Sequence, residues 1–340
     1  MKPHPLVIFV LFWFFSNCTN TSIKEPHIVT QEVEEKLEHF LDSIGHLPTK
    51  PLADAASFEI DSIFKNPPHN NLLLSSVLFE QIKQAAKSGT IDVQTAQQLT
   101  DFTIDTNCYN DKTIKKIKAT YFRFSEKNFD EYAFCIGNPE CNARLAFFKG
   151  KTLIAVHDYV NRNGLDLRHY TDADGKMVIF YSAELVRGSG NWWHQLFFYK
   201  YMNNELRPIL NEIEDGNMAN GGLGDRVLSL DATIQTTSPL TIKMVFSDQL
   251  PDTTKVDFGP LLIKDSTTIQ YIWDQNTQTL KGQYRSSKLS QAQKFCYYSC
   301  CQDLLFINTH YKLLKNTLID KERRETTLKY LNLIKSRTAH

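Results

Sequence analysis

His157-Asp158, His169, Asp172 and Asp174 are the densest group of possible ligands in the chain. Imidazole nitrogens and carboxylates can bind zinc or position a water for hydrolysis. Their spacing matches no HExxH-type pattern. Asp172-Ala173-Asp174-Gly175 begins like a calcium loop but lacks the third acidic position and the closing Glu. A plain surface turn accounts for it without any ion. No metal site is therefore expected, and an exported hydrolase built on these five residues, with or without a metal, is the alternative function.

Other local patterns carry less chemistry. Asn220-Gly221-Gly222-Leu223-Gly224-Asp225 is glycine-rich, but a strand is expected from Val227. A phosphate-cradling loop needs a helix there and usually Lys-Ser. Gly188-Ser189-Gly190 lacks the Gly-x-Ser-x-Gly spacing of a nucleophile elbow. No catalytic residue is assigned and no cofactor is expected. Trp192, Trp193 and His194 remain as a ligand-surface candidate, because aromatic faces stack on apolar ligand faces. Adjacent strand residues point to opposite sides, so one Trp belongs to the core and the other to a surface.

These residues depend on the elements around them. Val33, Leu37, Phe40, Leu41 and Ile44 recur at steps of three and four, a helical stripe over 32–44 stopped by Gly45 and Pro48. Residues 49–68 read as irregular, punctuated by Pro51 and Pro67-Pro68. Leu73, Leu74, Val77, Leu78 and Ile82 stripe a second helix that ends near Ser88-Gly89. Asp92 caps a third.

From residue 115 the period shifts to two. The cleanest case is Leu228, Leu230, Ala232 and Ile234 against Ser229, Asp231, Thr233 and Gln235. One apolar face and one wet face is the pattern of antiparallel sheet, and about ten strands can be counted. No helices alternate with them, so βαβ units are not expected. Asn203-Asn204 suits a tight hairpin. Ala292, Phe295, Cys296, Phe306, His310 and Leu314 then fit one helical stripe, and 320–334 reads as a charged second helix.

Composition narrows the partners. Charged residues are 22% of the chain and the net charge is zero. No basic excess exists to neutralise phosphates, so nucleic-acid binding is not expected.

The N-terminus directs location. Lys2 precedes a wholly apolar run over residues 6–15, the length of a signal-peptide core and too short to span a bilayer as a helix. Phe15-Ser16-Asn17-Cys18 follows, and this segment resembles a bacterial lipoprotein leader. Phe15 stands where Leu is usual, and Asn17 where Gly, Ala or Ser is usual. The resemblance implies that Cys18 is acylated and becomes the new N-terminus. An ordinary secretory signal ending at Cys18 is the other reading, and the protein is then secreted. Residues 19–24 are mostly small and polar, as a tether would be.

Seven cysteines are present, and six remain if Cys18 carries lipid. An even number in an exported chain favours disulfides. Cys135 and Cys141 are the expected pair, because Gly137, Asn138 and Pro139 supply a turn between them. Cys296, Cys300 and Cys301 lack a CxxC pair and a nearby His, and are expected as buried thiols or disulfides.

The fold expected is α+β, an antiparallel β-sheet domain flanked by N-terminal and C-terminal helices. The divisions are a signal peptide (1–17), a flexible tether (18–29), a helical region (30–112), an antiparallel β region (113–286) and C-terminal helices (287–340). The function expected is an exported, lipid-anchored envelope protein, outer-membrane or periplasmic, and a non-enzymatic binding or structural module. Its partners are the membrane through the anchor and an unknown protein, small molecule or glycan.

Overall fold

The computed structural model describes residues 31–64, 69–105, 108–109, 113–188, 191–217, 226–251, 258–298 and 302–338. The fold is α+β. Four N-terminal helices, α1 (Gln31–Gly45), α2 (Thr49–Phe64), α3 (Ser76–Ser88) and α4 (Val93–Thr100), precede most of the strands. Four C-terminal helices follow them, α5 (Gln291–Tyr298), α6 (Asp303–Thr309), α7 (Tyr311–Thr317) and α8 (Lys321–Thr338).

Six strands form the first sheet, all antiparallel: β1 (His69–Leu73), β2 (Thr90–Asp92), β3 (Lys116–Arg123), β4 (Glu131–Asn138), β5 (Asn142–Lys149) and β6 (Thr152–Tyr159). Their order is β1-β6-β5-β4-β3-β2. Helices α3 and α4 cover one face, with Leu78, Ile82, Ala96 and Leu99 packed on Ile117, Phe134 and Phe148. The second sheet covers the other face through Tyr181, Tyr199 and Tyr201, which meet Phe147 and Tyr159. Strand β4 is therefore buried at six successive positions. A strand covered on both sides shows no alternation.

The second sheet is an eight-stranded meander in chain order: β7 (Leu167–Thr171), β8 (Met177–Gly188), β9 (Asn191–Met202), β10 (Glu205–Asn217), β11 (Val227–Thr237), β12 (Leu240–Pro251), β13 (Phe258–Asp274) and β14 (Thr279–Gly282). Asn203 takes φ 58° in the β9–β10 hairpin, as Asn tolerates. The meander curls until β14 lies beside β10. A third core joins α1, α2 and the C-terminal helices through Leu37, Leu41, Phe306, Leu314 and Leu331. Arg226 staples it to the sheet, with Nη1 3.0 Å from Asp248 and Nε 3.3 Å from Asp303.

Three local expectations differ from the structure. Residues 49–64 are helical, because Pro51 falls in the first turn, where no backbone N–H is required. Leu73 ends strand β1 rather than joining the helix, which starts after Ser75; the Ser75 hydroxyl accepts from Leu78 N at 3.2 Å. The single C-terminal stripe is divided among α5, α6 and α7.

The Cys135–Cys141 pairing is also corrected: the disulfide joins Cys108 to Cys141, with Cα atoms 5.9 Å apart. The expected turn does form, but the register places Cys135 opposite Leu145. The Cys135 side chain enters the core between the sheets. There it is a free thiol, pushed up to about 12 by burial. Cys141 sits in the turn between β4 and β5 and meets the loop that carries Cys108. Cys296 is a free, buried thiol. Cys18, Cys300, Cys301, Ser189 and the glycine-rich stretch 220–225 lie outside the described residues.

Candidate functional site

The second sheet is split. Among the described residues β10 pairs with β11 at only three positions, Asp215–Asp231, Gly216–Leu230 and Asn217–Ser229. The rest of β10 is ladder-paired with β9, and α5 meets its other edge. The Tyr298 hydroxyl lies 2.8 Å from the Asn211 carbonyl oxygen and shares its one proton between that oxygen and Glu212 Oε2, 2.6 Å away. Such capping satisfies an edge that would otherwise be left without partners.

Polar groups gather where the split begins. His194 on β9 is directly opposite Asp215 on β10, and Nδ1 lies 2.5 Å from Asp215 Oδ1. A β-bulge between Ile213 and Asp215 inserts Glu214 on the same strand. Regular strand geometry would send Glu214 and Asp215 to opposite faces, and a bulge re-aims one of them. The ligand atoms of His194, Glu214 and Asp215 all lie within 4.8 Å of one another. A groove of about 260 Å3 opens beside them, lined in part by Arg168, Leu196, Asp231 and Thr233.

The electrostatics are those of a crowded acidic end. The hydrogen bond that His194 makes to the Asp215 carboxylate raises the His194 pKa above its ordinary range. Burial pushes Glu214 up, and the neighbouring Asp215 adds to this; Ser182, His194 and Arg168 work the other way. Trp192 shares the His194 face, with ring centroids 5.5 Å apart. Trp193 is buried over Gly216, where an added Cβ would meet its ring at 2.4 Å. The candidate surface thus divides into Trp193 as core and Trp192 with His194 at the split.

The five residues of the hydrolase alternative do not gather. His157 is buried between the sheets, with Nδ1 2.8 Å from the Tyr181 hydroxyl. Asp158 is exposed and pairs with Arg144 at 3.0 Å. His169 packs beside Phe124. Asp172 and Asp174 form the expected turn, and both face Lys200, at 2.5 and 3.2 Å. Among the described residues the group placed to share an ion is His194, Glu214 and Asp215.

A second cluster is closed from solvent. Glu212 is fully buried, and its carboxylate accepts from the Tyr271 hydroxyl, from Lys294 and, at 2.6 Å, from the Tyr298 hydroxyl. Burial alone would lower the Lys294 pKa, but Glu212 reverses this and holds the ammonium form. The arrangement ties α5 to the inside of the curled sheet. A larger groove, about 590 Å3, lies elsewhere, between α3 and β2, and is lined in part by Gln81, Gln84, Ser88 and Thr90.

Glu212, Glu214, Asp215 and Lys294 were not singled out from the sequence. The available signal was Glu212-Ile213-Glu214-Asp215, acidic residues crowded into a strand that regular alternation cannot hold on one face. No family model, curated protein or solved structure matches the chain.

Proposed function

We propose that the chain is an exported envelope protein, tethered by a lipid on Cys18, whose split sheet serves as a binding or structural module. One observation carries the location: an apolar run ending at Phe15-Ser16-Asn17-Cys18, followed by a small, polar tether. Among the described residues no helix is long and apolar enough to cross a membrane. A lipid would supply the attachment.

The split end supports the binding half of the reading. Its polar groups stand on strands, which position side chains more firmly than loops do. Trp192 offers an aromatic face beside His194, and a polar groove opens at Glu214 and Asp215, features suited to a protein, small molecule or glycan. Catalysis by the His157, Asp158, His169, Asp172 and Asp174 group is not favoured by their separate partners.

Mass spectrometry of the mature N-terminus tests the tether. The expected product begins at a diacylated or triacylated Cys18, and Cys18→Ser leaves the protein unacylated and soluble after cell fractionation. A mature terminus beyond Cys18, without lipid, overturns the anchor. A protein that retains Met1 overturns export as well.

A further inference from the structure

We propose that His194, Glu214 and Asp215 hold a divalent transition-metal ion, zinc in particular, at the split end of the eight-stranded sheet. The inference names a ligand class for the binding surface described above and does not depend on the anchor. His194 Nδ1 is the nitrogen donor, because it already faces Asp215 Oδ1 at 2.5 Å. Imidazole with two carboxylates suits zinc better than calcium or magnesium, which prefer all-oxygen shells.

The geometry is close to that required. Zinc sits about 2.0–2.2 Å from nitrogen and oxygen ligands, which places tetrahedral ligands roughly 3.4 Å apart. The three donor atoms lie within 4.8 Å of one another without an ion, and side-chain rotation covers the difference. The ion takes the place of the proton shared by His194 and Asp215, which leaves to solvent. Three protein ligands leave a fourth position for water or for a donor from a bound partner. Two of the three ligands, Glu214 and Asp215, line the groove with Arg168 and Thr233.

The surroundings independently call for positive charge. Asp215 and Asp231 are direct cross-strand partners, an arrangement in which like charges destabilise a sheet. Glu184 is the cross-strand partner of His194, and its side chain is 3% exposed. A dication at His194, Glu214 and Asp215 would offset the repulsion between Asp215 and Asp231.

Titration of the purified, chelator-stripped chain with zinc chloride tests this. The expected result is one ion per chain, with cobalt(II) giving the visible bands of a four-coordinate site. His194→Gln weakens binding more than about 100-fold, because even outer partners of a metal site are worth 10–100-fold. Glu214→Gln and Asp215→Asn each weaken it at least about 10-fold. Circular dichroism separates loss of a ligand from loss of the fold, and if His194→Gln does not fold, the cobalt spectrum of Glu214→Gln decides. Absence of zinc binding by the wild-type chain overturns the site, as does binding that survives these substitutions. An acylated chain without zinc binding loses this site and keeps the anchor; a zinc-binding chain without acylation does the reverse.

Discussion

Lys200 Nζ lies 3.9 Å from the Trp273 ring centroid, joining β9 to β13 across the interior of the curled sheet. Three strands separate them in the meander, so the contact exists only because the sheet closes on itself. Lys200 is 3% exposed and also pairs with Asp172 and Asp174. A desolvated cation–π contact contributes about 2 kcal/mol. Trp273→Leu is therefore expected to lower stability by about 2 kcal/mol in urea denaturation. A change within about 0.5 kcal/mol, the range of ordinary surface substitutions, would show that the contact does not hold the sheet closed.

The disulfide makes a separate prediction. Cys108 and Cys141 are 33 residues apart, and closing a loop of that length removes about 3–4 kcal/mol of unfolded-state entropy. Non-reducing peptide mapping should recover the Cys108 and Cys141 peptides as one species, with Cys135 as a free thiol. The double variant Cys108→Ser/Cys141→Ser should unfold at lower denaturant by a corresponding amount. A Cys135–Cys141 crosslinked peptide would contradict the register of the β4–β5 hairpin.

How far the sequence could be read follows from the range of the interactions. The period-two pattern of Leu228, Leu230, Ala232 and Ile234 is local; the first three are buried as the pattern requires and Ile234 is half-buried against the same core. The α+β class and the hairpin at Asn203-Asn204 were legible for the same reason. Cys141 has its partner 33 residues away, and its choice depends on which loop meets a turn. The site at His194 was half legible. Trp192 and His194 share a face by simple alternation, but Glu214 and Asp215 join them through a bulge that alternation does not foresee. The group His157, Asp158, His169, Asp172 and Asp174 looked dense because its members are close in sequence, while the strands send them to different partners.

The buried ion pair of α5 should respond asymmetrically to substitution. Lys294→Met leaves the fully buried Glu212 carboxylate with tyrosine hydroxyls alone, and breaking such a pair costs about 3–5 kcal/mol. Adding Glu212→Gln removes the uncompensated charge and should restore part of that loss. A double variant no more stable than Lys294→Met would mean that the tyrosines carry the carboxylate without help. Equilibrium denaturation of the two variants makes the comparison.

His310 gives the acid limb of stability a definite sign. Its ring is 6% exposed, packed on Phe306 at 4.8 Å, and its pKa is lowered to about 4 by burial and then by the nearby Arg226 charge. The unfolded chain protonates His310 near 6.5, where the folded chain does not. The unfolded state therefore binds more protons between those values, and stability falls as pH drops from about 6.5 to about 4. The largest loss from this group alone is roughly 3 kcal/mol, at about 1.4 kcal/mol per unit. His310→Leu removes the titration and should flatten that part of the curve, whatever its effect at neutral pH. Denaturation midpoints across this interval measure it, and an unchanged slope in His310→Leu would show that His310 does not drive the acid limb.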